Sequence, residues 1–124
     1  MMGQIPASKL KTIFVEDPET DLKTLADNKK DMIPLVIADP YCREILQATK
    51  QIPKSAMEIN LETHIPISTV YRRIQTLCDT RLVKTTGSIS GDGKKFFLYK
   101  STIKEISIKY NGSLEITLIP NRLE

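Results

Sequence analysis

Helix-start signals crowd the first two-thirds of this 124-residue chain and vanish after Leu82, and that segregation constrains the fold more than any other feature. Asp17-Pro18 and Asp39-Pro40 each set a capping acid before a proline at the first helical position, where the missing N–H costs nothing. Leu22, Leu25 and Ala26 follow the first pair at helical spacing. An apolar run, Met32 to Ala38, leads into the second. Ser55 and Glu58 form a Ser-x-x-Glu capping box that opens a short helix with Ala56 and Ile59, and at its end Leu61, as inward positions. Pro66 and Ser68 open one further helix, whose apolar period runs through Leu77 and Cys78.

Beyond Val83 the pattern is that of strands. Gly87, Gly91 and Gly93 punctuate a polar stretch before the run Phe96, Phe97, Leu98, Tyr99, which predicts a β-hairpin with a long flexible tip. That second strand is apolar on both faces and needs cover twice, from the helices on one side and from the terminal hairpin or a partner subunit on the other. At the end of the chain Ile106, Ile108 and Tyr110 alternate with Ser107 and Lys109. Asn111-Gly112 then turns, and Leu114, Ile116 and Leu118 alternate with Glu115 and Thr117. A two-residue Asn-Gly loop sets Ile108 opposite Glu115 and scrambles the faces, so the alternation requires an odd loop that brings Ile108 against Leu114 or Ile116. The strand-like KTIFVE at 11–16 is a further candidate to pair with this hairpin, within or across subunits. Helices first and hairpins after make an α+β chain.

The length suits one domain with a real core. Apolar residues make up 40% of the chain and charged residues 27%, an ordinary globular balance. No apolar run approaches the ~18 residues of a membrane span. MMGQIPASKL lacks the ~7–15-residue apolar segment of a secretory signal, so a cytoplasmic protein is expected. Cys42 and Cys78 stand far apart and outside any CxxC arrangement, which speaks against a zinc site and a disulfide framework. Both fall on or beside apolar helix faces, where small buried thiols are common. His64, the one histidine, lies in the turn between two helices without companions for a ligand set. There is no Gly-rich phosphate cradle, no Ser/His/Asp or Cys/His set and no carboxylate pair in an apolar context, so the expectation is a non-enzyme without cofactors or metal.

Charge is unevenly spread. Residues 1–40 hold five Lys/Arg against seven Asp/Glu, residues 41–100 hold ten against five, and residues 101–124 balance at three each. The basic excess belongs to one segment, a candidate for meeting phosphates. Within it, PISTVYRRIQTL carries two adjacent arginines and no acid until Asp79. Laid out at about 100° per residue, Val70, Ile74, Leu77, Ile67 and Cys78 share one arc of about 100° and pack inward. Ser68, Thr69, Arg72, Gln75 and Thr76 fall on the far side, where they suit base edges, while Tyr71 and Arg73 flank them toward the phosphate walls. The hairpin tip SISGDGKK adds Lys94 and Lys95 as backbone contacts, helped by Ser88 and Ser90 and opposed by Asp92.

The segment IADPYCREILQATKQIPKSAMEINLETHIPISTVYRRIQTLCDTRLVK resembles the DNA-binding core of ArsR-type winged-helix transcription regulators. ADPYCREIL is similar to the family's first core helix and STVYRRIQTL to its recognition helix. The resemblance covers about residues 33–102 and rests on AMEI, the IP-x-STVYR start and the LxxxxLV ending. It implies a winged helix-turn-helix with an extra N-terminal helix in a 1–32 extension, a DNA-binding domain over 33–102, and a C-terminal hairpin over 103–124 packed on that domain or at a dimer interface. Metal-sensing members carry paired cysteines where this chain has SAMEINLETH, so metal regulation is not expected. The implied function is sequence-specific binding of double-stranded DNA by a homodimer, with helix 67–79 in the major groove and the wing, 84–100, on the flanking backbone. The alternatives are a winged-helix protein–protein interaction module and a sequence-indifferent chromatin or basal transcription factor.

Overall fold

The computed structural model describes the backbone of residues 10–15 and residues 32–121. The helix expected after Asp17-Pro18 lies outside the described residues. In chain order the elements are β1 (Leu10–Val15), α1 (Ile33–Ala38), α2 (Pro40–Ala48), α3 (Ala56–Thr63), α4 (Ile67–Asp79), β2 (Val83–Ile89), β3 (Lys95–Ser101), β4 (Ile103–Tyr110) and β5 (Leu114–Pro120). The chain is α+β, and three helices followed by an antiparallel hairpin are compatible with a winged helix.

Local signals account for the helix ends. Asp39 precedes Pro40 and is therefore pushed out of the helical region, to φ −85° and ψ 119°, which separates α1 from α2. Its carboxylate then accepts the Tyr41 N–H as the cap of α2. At α3 both halves of the capping box form: the Glu58 N–H donates to Ser55 Oγ at 3.1 Å and the Ser55 N–H donates to Glu58 Oε1 at 2.8 Å. His64 closes α3 in the left-handed region at φ 65°, consistent with a turn residue, and the Asn60 amide donates to the Ile65 carbonyl at 2.6 Å to brace that turn. Leu61, expected inside, is 67% exposed, because it stands two residues from the buried Ile59 and so on the opposite side of the helix.

One core joins the four helices to β5. Ile33 and Val36 of α1, Cys42, Ile45 and Leu46 of α2, Ile59 of α3, and Val70, Ile74 and Leu77 of α4 pack with Ile65 and Leu82. Leu114, Ile116 and Leu118 of β5 belong to the same cluster, so the C-terminal hairpin is built onto the helical unit. Burial of so many aliphatic side chains, at about 1.5–3 kcal/mol each, is the main force holding hairpin and helices together. Asn121 fastens the joint with polar contacts, its amide donating to the Lys50 carbonyl at 2.7 Å and its N–H to the Thr102 carbonyl at 2.8 Å.

Two sheets result. β2 and β3 form an antiparallel hairpin, whose base is extended by an isolated bridge between Lys54, just ahead of α3, and Tyr99. β4 and β5 form the second hairpin, and β1 lies parallel along β5, giving the order β1-β5-β4 within one chain. Tyr110 faces Leu114 and Ile108 faces Ile116, leaving a three-residue loop, Asn111–Gly112–Ser113, as the alternation requires. Gly112 sits at φ +99°, where a side chain is strained.

β3 departs from expectation. Tyr99 packs against the core, but Phe96 and Phe97 are exposed and Leu98 is half-buried. Among the described residues the terminal hairpin does not supply the second cover, since after Ser101 the chain turns into a separate sheet instead of folding back over the β2–β3 hairpin.

Candidate nucleic-acid interface

α4 presents its apolar stripe to the core, with Val70 and Leu77 fully buried and Ile74 nearly so, while Ile67 and Cys78 are half-buried at the margins. The opposite side carries Ser68, Tyr71, Arg72 and Gln75 in solvent. The Gln75 amide donates to Asp79 Oδ1 at 3.1 Å, one turn on. Thr76 is half-buried, and its hydroxyl donates back to the Arg72 carbonyl at 3.4 Å.

Two residues placed on this outward surface by helical geometry stand elsewhere. Thr69 is buried at 9% exposure, and its hydroxyl oxygen accepts from the Arg72 guanidinium at 3.4 Å. Arg73 turns toward α2. Its Nε donates to Asp39 Oδ2 at 2.6 Å, and its guanidinium lies over the Tyr41 ring, 5.7 Å from the centroid. The carboxylate that PISTVYRRIQTL lacks nearby is thus supplied from 34 residues upstream. For Arg73 the physical reason is that α2 packs along this flank of α4, which a wheel drawn for an isolated helix does not include. Arg73 is consequently a positioning residue that clamps the start of α2 to α4.

Asp39 is the pivot of this clamp. Partial burial alone would raise its pKa, but hydrogen bonds with Cys42 and Arg73, the guanidinium charge and the Tyr41 N–H together hold the carboxyl below the usual carboxylate range. Cys42 responds in the opposite sense. Burial, then the adjoining Asp39 carboxylate, push its thiol up to about 12, so it stays protonated at neutral pH.

The β2–β3 tip is a knit loop. The Ser90 N–H donates to the Lys94 carbonyl at 2.8 Å, and the Gly93 N–H to the Ser90 carbonyl at 2.9 Å. Asp92, which opposes phosphate contact by its sign, is engaged within the loop: it accepts the Ser90 hydroxyl and the Lys94 N–H, and these bonds, the Ser90 bond foremost, hold it below the usual carboxylate range. Lys94 and Lys95 are exposed beside it. Lys95 Nζ rests over the Phe97 ring at 5.5 Å from its centroid.

Between this hairpin and α4 runs an open groove. Tyr71, Ile74, Gln75 and Cys78 line it from the helix, and Thr85, Phe97 and Tyr99 from the strands. Tyr99 is raised in pKa by burial, then by the nearness of Cys78 and Tyr71. Phe97 and Thr85 therefore join the predicted surface residues although sequence reading did not single them out for it. The signal available was the doubly apolar strand, which required a neighbour without identifying α4 as one. The arrangement brings Ser68, Tyr71, Arg72 and Gln75 beside a hairpin that carries Lys94 and Lys95, and it leaves Thr69 and Arg73 out.

Among the described residues, no group of three or more His, Cys, Asp and Glu side chains stands together as a metal site. No described helix is long and apolar enough to cross a membrane. No protein-family model matches this chain, and no curated protein matches it.

Proposed function

We propose that this protein is a winged-helix transcription regulator that binds double-stranded DNA sequence-specifically, as a cytoplasmic homodimer without catalytic activity. α4 enters the major groove, and the β2–β3 hairpin is the wing that lies on the flanking backbone. One observation carries the reading: an exposed row of hydrogen-bonding side chains, Ser68, Arg72 and Gln75, stands on a helix whose apolar side is sealed in the core, next to a loop with two exposed lysines. Arg72 is the base-reading candidate, because a guanidinium matches the two acceptors of a guanine edge. Tyr71, Lys94 and Lys95 suit phosphates. Thr69 and Arg73 act from behind, the first by accepting from Arg72 and the second by fixing the tilt of α4 against α2.

The test is selection of bound duplexes from a random pool, followed by titration of the enriched duplex against salt. If about four phosphates are neutralised, affinity falls on the order of a hundredfold between about 50 and 200 mM salt. Arg72→Ala should relax the sequence preference by about 1–3 kcal/mol while leaving the chain folded. Salt-dependent binding without enrichment supports the sequence-indifferent chromatin or basal factor instead. A protein–protein interaction module is favoured by a different observation, the exposure of Ile89 at 73% and Phe97 at 47% on the hairpin, and it predicts neither enrichment nor a salt slope.

A further inference from the structure

In the order β1-β5-β4, the strand β4 forms an edge, and among the described residues no backbone hydrogen bond joins its outer side to another strand. Such an edge is a ready template for a further strand. A groove lined by Arg43, Gln47, Lys104 and Glu105 runs between its first half and α2. The apolar row of β4 is also unfinished. Ile106, Ile108 and Tyr110 share a face with Leu118, Ile116 and Leu114, their partners on β5. Those three partners are buried, yet Ile108 is 42% and Tyr110 70% exposed, so the cover ends at β5 and the row continues past it.

We infer that the outer edge of β4 pairs antiparallel with β4 of a second copy about a twofold axis at Ser107, which joins the two three-stranded sheets into one of six strands. Charge complementarity selects both the occupant and the register. With the axis at Ser107, Glu105 stands opposite Lys109 of the partner subunit, Lys109 opposite Glu105 of the partner subunit, and Ile106 and Ile108 oppose each other across the seam. Each ion pair is made twice because the contact is isologous. Moving the axis to Ile106 sets Glu105 against Ser107, and moving it to Ile108 sets Glu105 against Asn111. An axis midway between two residues is excluded by the pleat, because it would oppose side chains that point to different faces of the sheet. Only the Ser107 register matches oppositely charged and apolar residues together, and directly opposed pairs of both kinds stabilise antiparallel strands. Lys109 already faces Glu115 on its own β5, so in the assembled sheet it lies between two carboxylates.

This deepens the homodimer reading by naming its surface, and it stands independently of DNA binding. The native chain, with no DNA present, should show a concentration-dependent dimer in sedimentation velocity. Glu105→Lys, which sets Lys against Lys109 of the partner subunit, should raise the dissociation constant about tenfold or more. Ser107→Cys combined with Cys78→Ser should form a disulfide-linked dimer under mild oxidation, since residues directly opposed on paired strands lie close to disulfide reach. Lys109→Cys in the same background should not link to itself. A native chain that remains monomeric at about 100 µM overturns the inference, as does a dimer that Ser107→Cys fails to link or that Glu105→Lys leaves unchanged. Loss of duplex selection with this dimer intact counts against the regulator reading alone.

Discussion

Adjacent arginines with opposite duties make the sharpest test of this structure. Replacing Arg73 by Ala removes a charge-assisted hydrogen bond of 2.6 Å to Asp39 and a cation–π contact with Tyr41. The first contributes about 1.5–3 kcal/mol and the second about 0.5–1 kcal/mol. Both partners of the ion pair keep some solvent, with side chains 31% and 25% exposed, so the lower ends apply and the expected loss is about 2 kcal/mol. For a chain of this size that is roughly an 8 °C drop in Tm. Arg72→Ala, on the exposed face, should stay within about 0.5 kcal/mol. Urea unfolding followed by circular dichroism measures both. A double-mutant cycle of Arg73→Ala with Asp39→Asn, in which Asn preserves the cap of α2, should return a coupling of about 1–2 kcal/mol. The gap between native protein and Arg73→Ala should also depend on pH. The Asp39 pKa is depressed on folding, so its contribution is fully present above the unfolded carboxylate value of about 3.9 and is lost as pH falls through the lower folded value. The gap should therefore be full near neutrality and close in acid. Equal losses for the two arginines, or a coupling below about 0.3 kcal/mol, would refute the clamp.

Ser55→Ala removes the hydroxyl that accepts the Glu58 N–H and leaves the Ser55 N–H free to donate to Glu58, and thermal melts should show a loss of about 1 kcal/mol. Cys42 is buried and held as a thiol, so iodoacetamide at about pH 8 should label Cys78 first and Cys42 only on unfolding, as peptide mass mapping will show. Lys94→Gln with Lys95→Gln should lower the slope of log affinity against log salt by about 2, one unit for each lysine that meets a phosphate, and should leave the melting curve in place.

Signals within a few residues of one another were enough for most elements. The Pro40 and Ser55 starts, the inward stripe Val70-Ile74-Leu77 and the three-residue turn at Asn111 follow from capping chemistry, helical period and strand parity, which act over short separations whatever the rest of the chain does. Tertiary packing alone decided that β1 joins β5 in parallel within the same chain, that Phe97 lines a groove with α4, that Thr69 is buried, and that Arg73 belongs to the α2 side of the helix. Thr69 and Arg73 carry the plainest lesson. A helical wheel assigns direction about an axis, but only the neighbour that packs there determines whether a direction ends in water, and Asp39 reaches Arg73 from 34 residues away through a contact that no local pattern encodes.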